Sequence, residues 1–138
     1  MKHLKTLPFV AGLALVASTT GGAASANGLR EMQAINDGLT VIAAGDLIQK
    51  NCETIKPRLF RAYSYAKELE FEAKQAGFTD DEIEDYVSSK EDRKRVKSVA
   101  FDYLLSQGLD PQQPASYCTV GLAEIERNSQ IGVLLKAK

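Results

Sequence analysis

The two cysteines of this chain, Cys52 and Cys118, constrain its fold more than any other pair of residues. They lie 66 positions apart, so they do not form the CxxC motif of a redox or thiolate metal site. An even number of cysteines in an exported chain predicts a disulfide, and closing a loop of this length stabilises the fold by about 4 kcal/mol. We therefore predict a Cys52–Cys118 bond that brings the segment 116–135 back against the second helix.

The N-terminal residues have the form of an export signal. Lys2 and Lys5 are followed by an apolar run over residues 7–17 and by a small-residue cleavage motif at residues 24–26. A spanning helix needs about 20 apolar residues, and this run is roughly half as long. We expect cleavage after Ala26, no stable membrane anchor, and a single periplasmic helical domain over residues 27–138.

Composition narrows the class of function. Without Lys2 and Lys5 the chain keeps 15 of its 17 basic residues against 18 acidic ones, a net charge of −3 that argues against nucleic-acid binding. His3 is the only histidine and leaves with the signal, so the commonest general base and metal ligand is lost. We expect no catalytic residue, no metal site and no cofactor.

Apolar spacing predicts an all-α protein, a compact bundle of five or six helices closed by the disulfide. A first short helix should end at residues 36–38, where an Asn-Asp-Gly turn begins the second helix. Thr54 is predicted to cap a third helix that holds Pro57 in its first turn and ends at Gly77. Its expected inner face consists of Leu59, Ala62, Tyr63, Ala66, Leu69 and Ala73.

Further boundaries follow from capping signals. Thr79 and Glu82 form a predicted capping box, and Ser88 and Glu91 form a second one. Gly108 should end the helix that the second box begins. The last helix is expected to cover residues 116–135, with small residues allowing close packing. No stretch alternates with period two for long enough to indicate a sheet.

Phe60 and Phe71 lie on a second line of the third helix, together with Ser64 and Lys67. Either neighbouring helices sandwich this line, which we favour, or it is a docking surface. A basic run in the next long helix could touch an anionic surface or an acidic partner, or form a solvated face. Its candidate interaction residues are Arg93, Lys94, Arg95 and Lys97.

Three consecutive polar residues, Asn128, Ser129 and Gln130, interrupt the last helix. They could form a buried polar network or contact site near the disulfide. We favour a local cap, in which Ser129 begins a final turn.

Two patterns of enzymes carry little weight. Ser64 and Lys67 match S-x-x-K, but the partner motifs of that enzyme class are absent. Glu68 and Glu72 could serve as the paired carboxylates of a small hydrolase, although such spacing is ordinary on a charged helix face. The acidic residues at positions 80–85 are expected at a helix start rather than around a cation.

The chain also resembles a known family. The resemblance rests on Asn51-Cys52, the segment GFTDDEI at residues 77–83, Tyr117-Cys118, and residues 123–126 leading into SQIGVLL at 129–135. These stretches are similar to a family of small exported bacterial proteins of unknown function. The resemblance implies a helical, exported, disulfide-bearing domain and supplies no catalytic residues.

These observations favour a non-enzymatic accessory or interaction protein that binds another envelope protein, in an oligomeric state that the sequence leaves open. An alternative is an ATP-independent holdase chaperone, because acid would neutralise 18 carboxylates while the basic groups keep their charge. A carboxylate-dependent hydrolase is a remote third hypothesis.

Overall fold

A computed structural model describes residues 26–138, with the backbone alone for Ala26 and Asn27. The predicted export signal otherwise lies outside the described residues. The described part is mainly helical, which confirms the all-α class. Its elements are α1 (Ala26–Glu31), α2 (Gln33–Asn51), β1 (Ile55–Pro57), α3 (Leu59–Gln75), α4 (Asp80–Ser88), α5 (Lys90–Ser106), α6 (Ser116–Glu126), a 3-10 helix (Gly132–Leu134) and β2 (Leu135–Ala137).

The predicted disulfide is confirmed. The Cys52 and Cys118 sulfurs are 2.05 Å apart and the two Cα atoms 5.2 Å apart. Cys52 follows the end of α2, and Cys118 lies in the first turn of α6. The bond therefore joins the C-terminus of α2 to the N-terminus of α6.

Helix α2 is the shared wall of two apolar clusters. On one side Ala44, Leu47 and Ile48 pack with buried residues of α5, α6 and both strands. On the other side Ile35 packs against a smaller cluster built from Leu29, Leu69, Ala73, Phe78 and Tyr86. Both clusters meet on one helix, so the described residues form a single packed body.

The predicted turn at residues 36–38 is wrong, because α2 continues through it. Gly38 is buried, and a Cβ atom there would lie 2.4 Å from Leu69 Cδ2, so this glycine permits close helix contact. The Asn36 amide donates to the carbonyl oxygens of Leu29 and Met32, each at 2.8 Å. Asn36, which was predicted to form a turn, thus lies inside α2 and supplies hydrogen-bond donors to the free carbonyl groups at the end of α1.

The predicted helix start at Thr54 is also wrong. The segment Ile55–Pro57 forms a strand that pairs antiparallel with Leu135–Ala137, and α3 begins at Leu59. The last helix ends at Glu126 rather than Leu135, and Asn128 has a positive φ of 50°. Strands of three residues are too short to show an alternating pattern, so this two-stranded sheet could not be predicted from residue spacing.

Two helix ends and one helix start match their sequence signals. Thr79 and Glu82 make both bonds of the predicted capping box. Gly77 and Gly108 have φ of 96° and 100°, and the Leu109 amide donates to Leu104 O at 3.0 Å, as in a Schellman motif. The cap of α5 is Ser89, one residue after the predicted Ser88, and it accepts from the Asp92 amide.

Removing the disulfide should lower the free energy of unfolding substantially. The bond closes a loop of 66 residues, so we expect Cys52→Ser with Cys118→Ser to lose about 4 kcal/mol. Urea denaturation followed by far-UV circular dichroism measures the loss. A difference below about 1 kcal/mol would show that the packed helices define the fold without the bond.

Gly121 and Gly45 offer a matched test of close packing. A Cβ at Gly121 would lie 2.5 Å from both Ile48 Cγ2 and Ile55 Cδ1, whereas one at Gly45 would meet only Leu135 Cδ2, at 3.9 Å. We expect Gly121→Ala to destabilise by about 1 to 3 kcal/mol through overpacking. Gly45→Ala should instead be neutral or stabilise by up to about 1 kcal/mol, because alanine favours the helix. Equal effects in thermal unfolding would contradict this packing.

Candidate functional site

The outer face of α3 carries the most exposed apolar side chains in the described residues. Leu59 is 75% exposed, Phe60 82%, and Tyr63 and Phe71 62% each, while only Leu69 and Ala73 of this helix are buried. The expected sandwich of helices around Phe60 and Phe71 is therefore wrong. Three members of the predicted inner face, Leu59, Tyr63 and Ala66, are exposed as well. We call Leu59, Phe60, Tyr63 and Phe71 the α3 face.

The reason is geometric. Helix α3 approaches α2 where Leu69 fills the space left by Gly38, and it meets α4 and the 3-10 helix at its edges. Within residues 26–138, no element covers the opposite side. The helix thus has one narrow buried stripe, and the remaining apolar residues face outward.

Ion pairs fix the side chains near the middle of this helix. Lys67 contacts Glu70 at 2.6 Å and Lys74 contacts it at 2.9 Å, and together they lower the Glu70 pKa to about 2. The Lys67 ammonium also lies 5.9 Å from the centre of the Tyr63 ring, within range of a cation–π contact. The C-terminal half of the α3 face therefore has a paired charge environment around Phe71.

The N-terminal half has a different charge environment. Lys56 and Lys136 are directly opposite each other in the β1–β2 ribbon, an arrangement of like charges that destabilises a strand pair. Several exposed basic residues gather here, and in the described part of the chain none of them makes an ion pair. We call this group the basic end: Lys56, Arg58, Arg61, Lys136 and Lys138.

The basic run of α5 divides into two groups. Arg93, Lys94 and Lys97 are exposed and line a groove of about 520 Å³ between α2 and α5. Arg95 turns away from it and donates to Asn36 Oδ1 at 2.8 Å and to the Tyr86 hydroxyl at 2.5 Å. Arg95 therefore differs from its three neighbours, because its guanidinium connects α5 to α2 and α4, while the side chain is 39% exposed.

Asp92 ties α1 to α5. The residue is 6% exposed, and its carboxylate accepts hydrogen bonds from Arg30 Nε at 2.6 Å and from Arg30 Nη2 at 3.1 Å. The hydrogen bond from Arg30 holds the Asp92 pKa below its usual value, against the opposing effect of burial. The first helix is thus attached through an ion pair as well as through Leu29.

Glu124 is fully buried at the centre of a second polar network. It accepts hydrogen bonds from the Tyr103 hydroxyl at 2.9 Å, from Arg127 and from Ser129. Burial, and then the bond to Glu124, raises the Tyr103 pKa. Sequence reasoning missed Glu124, since no local pattern distinguishes it from Glu126, the exposed glutamate two residues later in the same helix.

Of the three polar residues after α6, only Ser129 takes part in this network. Ser129 is partly buried, donates to Glu124, and accepts from the Gly132 amide at 2.9 Å, at the start of the 3-10 helix. Asn128 and Gln130 are exposed. Gly132 explains the tight geometry, because a Cβ there would lie 1.9 Å from the Glu124 carbonyl oxygen.

The residues proposed for hydrolysis do not converge. Glu68 and Glu72 are exposed, and neither lines the groove between α2 and α5. Lys67 of the S-x-x-K motif pairs with Glu70. Over residues 26–138 no three histidine, cysteine or acidic side chains are grouped as a metal site requires, and no helix there has the length and apolarity to cross a membrane.

Comparison with known proteins identifies one family. The model of a family described as "Family of unknown function (DUF5333)" matches residues 27–136, which include both cysteines and nearly all of the described structure. No curated protein and no solved structure matches the chain.

The Asp92 ion pair predicts a pH-dependent stability. Since the folded pKa is depressed, its contribution is fully present above the ordinary aspartate value of about 3.9 and is lost as the pH falls through the lower folded pKa. We expect Asp92→Asn to be less stable than wild type at neutral pH, with the difference shrinking in acid. Urea midpoints across this pH range measure it. A difference that stays constant with pH would contradict the ion pair.

Proposed function

We propose that this chain, which belongs to the DUF5333 family, is a non-enzymatic accessory protein of the bacterial periplasm that binds another envelope protein. The observation that carries the proposal is the α3 face. Four large apolar side chains, three of them aromatic, are more than half exposed on a single helix.

Leaving these four side chains in solvent forgoes the stabilisation that their burial would provide, and the fold itself does not require it. Burying a side chain of this size stabilises a protein by about 1.5 to 3 kcal/mol, and contiguous apolar surface in soluble proteins marks interaction sites. Phenylalanine and tyrosine also bring large contact area with little loss of side-chain freedom, which suits them as anchors of an interface. We infer that α3 completes its packing against a partner.

The charges around the face indicate the chemistry of that partner. Phe60 lies beside the basic end, whereas Phe71 lies among the paired charges of Lys67, Glu70 and Lys74. A partner that fits would offer an apolar recess with carboxylates at the side that meets β1 and β2. Complementary charge would set its orientation and speed its association.

Two observations support the envelope as the location. The Cys52–Cys118 bond suits an oxidising compartment. The first 26 residues carry the features of an export signal.

Two further observations favour a binding role over catalysis. The described part of the chain has no histidine, and the polar side chains of its two networks, around Asp92 and Glu124, bond to one another.

The test is a capture experiment with charge and hydrophobicity controlled. A photo-crosslinking residue placed at position 64, between Phe60 and Phe71, should yield one stoichiometric adduct from envelope extract. Phe60→Ala with Phe71→Ala should reduce its yield at least about tenfold, since interface anchors contribute 2 kcal/mol or more together.

The control for this experiment is Leu105→Ala with Leu122→Ala, which removes exposed apolar side chains of α5 and α6 and should leave the yield unchanged. Equal yields from the wild type and the α3 double variant would reject the α3 face as the binding surface.

A holdase that responds to acid is a second candidate, and the Asp92–Arg30 pair favours it. Acid would neutralise Asp92, loosen α1 and uncover the smaller cluster around Leu29 and Tyr86. In this case the chain would suppress aggregation of an unfolded client at about pH 3, with no fixed partner. Absence of suppression at both acid and neutral pH would remove this candidate.

A further inference from the structure

Two clefts of the molecule adjoin and share their apolar floor. One, of about 650 Å³, lies where α1, α3 and α4 meet. The other is the groove of about 520 Å³ between α2 and α5. Leu39, Tyr86 and Val87 line both, so the two clefts meet at these three residues. We call the two adjoining clefts together the apolar channel.

The surface of the channel is incompletely packed. Leu39 and Ile42 of α2 are only partly buried although they belong to the central helix, and Val87 is 42% exposed at the junction. Each cleft alone falls in the range of about 300 to 1,000 Å³ that is typical of sites for small molecules. The channel therefore has room for an elongated apolar group.

Charge is distributed unequally along the channel. At the α5 end, Arg93, Lys94 and Lys97 make no ion pair with any described carboxylate. The two acids that line this end are already bound, Asp46 to Lys50 at 2.7 Å and Asp92 to Arg30 at 2.6 Å. Positive charge is therefore uncompensated at this end.

The α3 end has the opposite balance. Four carboxylates, those of Glu70, Asp80, Asp81 and Glu84, line it against Lys67 and Lys74. An anion would be repelled there and attracted to the α5 end. The channel thus distinguishes its two ends by charge while its floor is apolar throughout.

We propose that the apolar channel binds an anionic amphiphile with one unbranched apolar chain, a fatty acid being the simplest example. The carboxylate lies at Arg93, Lys94 and Lys97. The chain runs over Ile42 and Leu39, passes Val87, and ends in the cleft beside α3. This site is separate from the α3 face, because neither Phe60 nor Phe71 lines the channel.

The test is a chain-length series measured by isothermal titration calorimetry on the full, disulfide-bonded chain. Octanoate, decanoate, dodecanoate and tetradecanoate are compared below their micelle concentrations, with the methyl ester of each as the uncharged probe. Affinity should rise by up to about fourfold for each added methylene that enters the channel, and the esters should bind more weakly than the acids.

A pair of charge-matched variants locates the head group. Lys94→Glu with Lys97→Glu should weaken decanoate binding about tenfold, since it exchanges two attractive contacts for repulsive ones. Lys90→Glu with Lys136→Glu alters net charge equally at exposed residues that do not line the channel, and it should change affinity by less than about twofold. Val87→Trp, at an exposed position, should end the rise at a shorter chain.

Three results would overturn the proposal. They are affinities that do not depend on chain length, esters that bind as well as acids, and equal losses in the two charge-reversed variants. Circular dichroism of every variant checks that the helices are retained. Lys94→Glu with Lys97→Glu, and Val87→Trp, leave both the α3 face and the basic end unchanged, so loss of lipid binding here and loss of protein binding there remain distinguishable.

Discussion

The bond between Cys52 and Cys118 is the constraint on which the rest of the structure depends. It holds the end of α2 beside the start of α6, and from there the chain can return as β2 to pair with β1. Ile55 and Leu135, one in each strand, are buried at 0% and 2% exposure. The C-terminal segment thereby closes the larger cluster over Ile48 and Leu104, and α2 becomes the element that both clusters share.

The exposed face of α3 follows from this closure. Helix α2 is occupied by α5, by α6 and by the returning strand, so α3 reaches it mainly where Leu69 enters the space at Gly38. A helix with one narrow buried stripe has to place its other apolar residues in solvent. Leu59, Phe60, Tyr63 and Phe71 occupy these positions, and their exposure is the physical basis of the binding role that we propose for this chain.

Local signals in the sequence predicted local structure well. The Thr79 capping box, the glycine ends at Gly77 and Gly108, and the cysteine pairing depend on residues whose chemistry has few alternatives. Residues that occur in more than one structural context led to wrong predictions. Gly38 permits close packing instead of a turn. Pro57 begins no helix, because its segment pairs with a strand about 80 residues away in sequence. Exposure of Phe60, burial of Glu124 and the junction of two clefts at Val87 depend on tertiary packing, which no local pattern encodes.

Amide hydrogen exchange, resolved by residue, tests the central claim most directly. If α2 is the shared wall and the disulfide closes the body around it, the amides of Ala44, Leu47 and Ile48 should exchange most slowly, through global unfolding. The first turns of α3, near Phe60, should exchange much faster through local opening, and reduction of the disulfide should accelerate β1, β2 and α6 first. Protection in α3 equal to that in α2, or a reduced protein with unchanged protection in α6, would contradict the account.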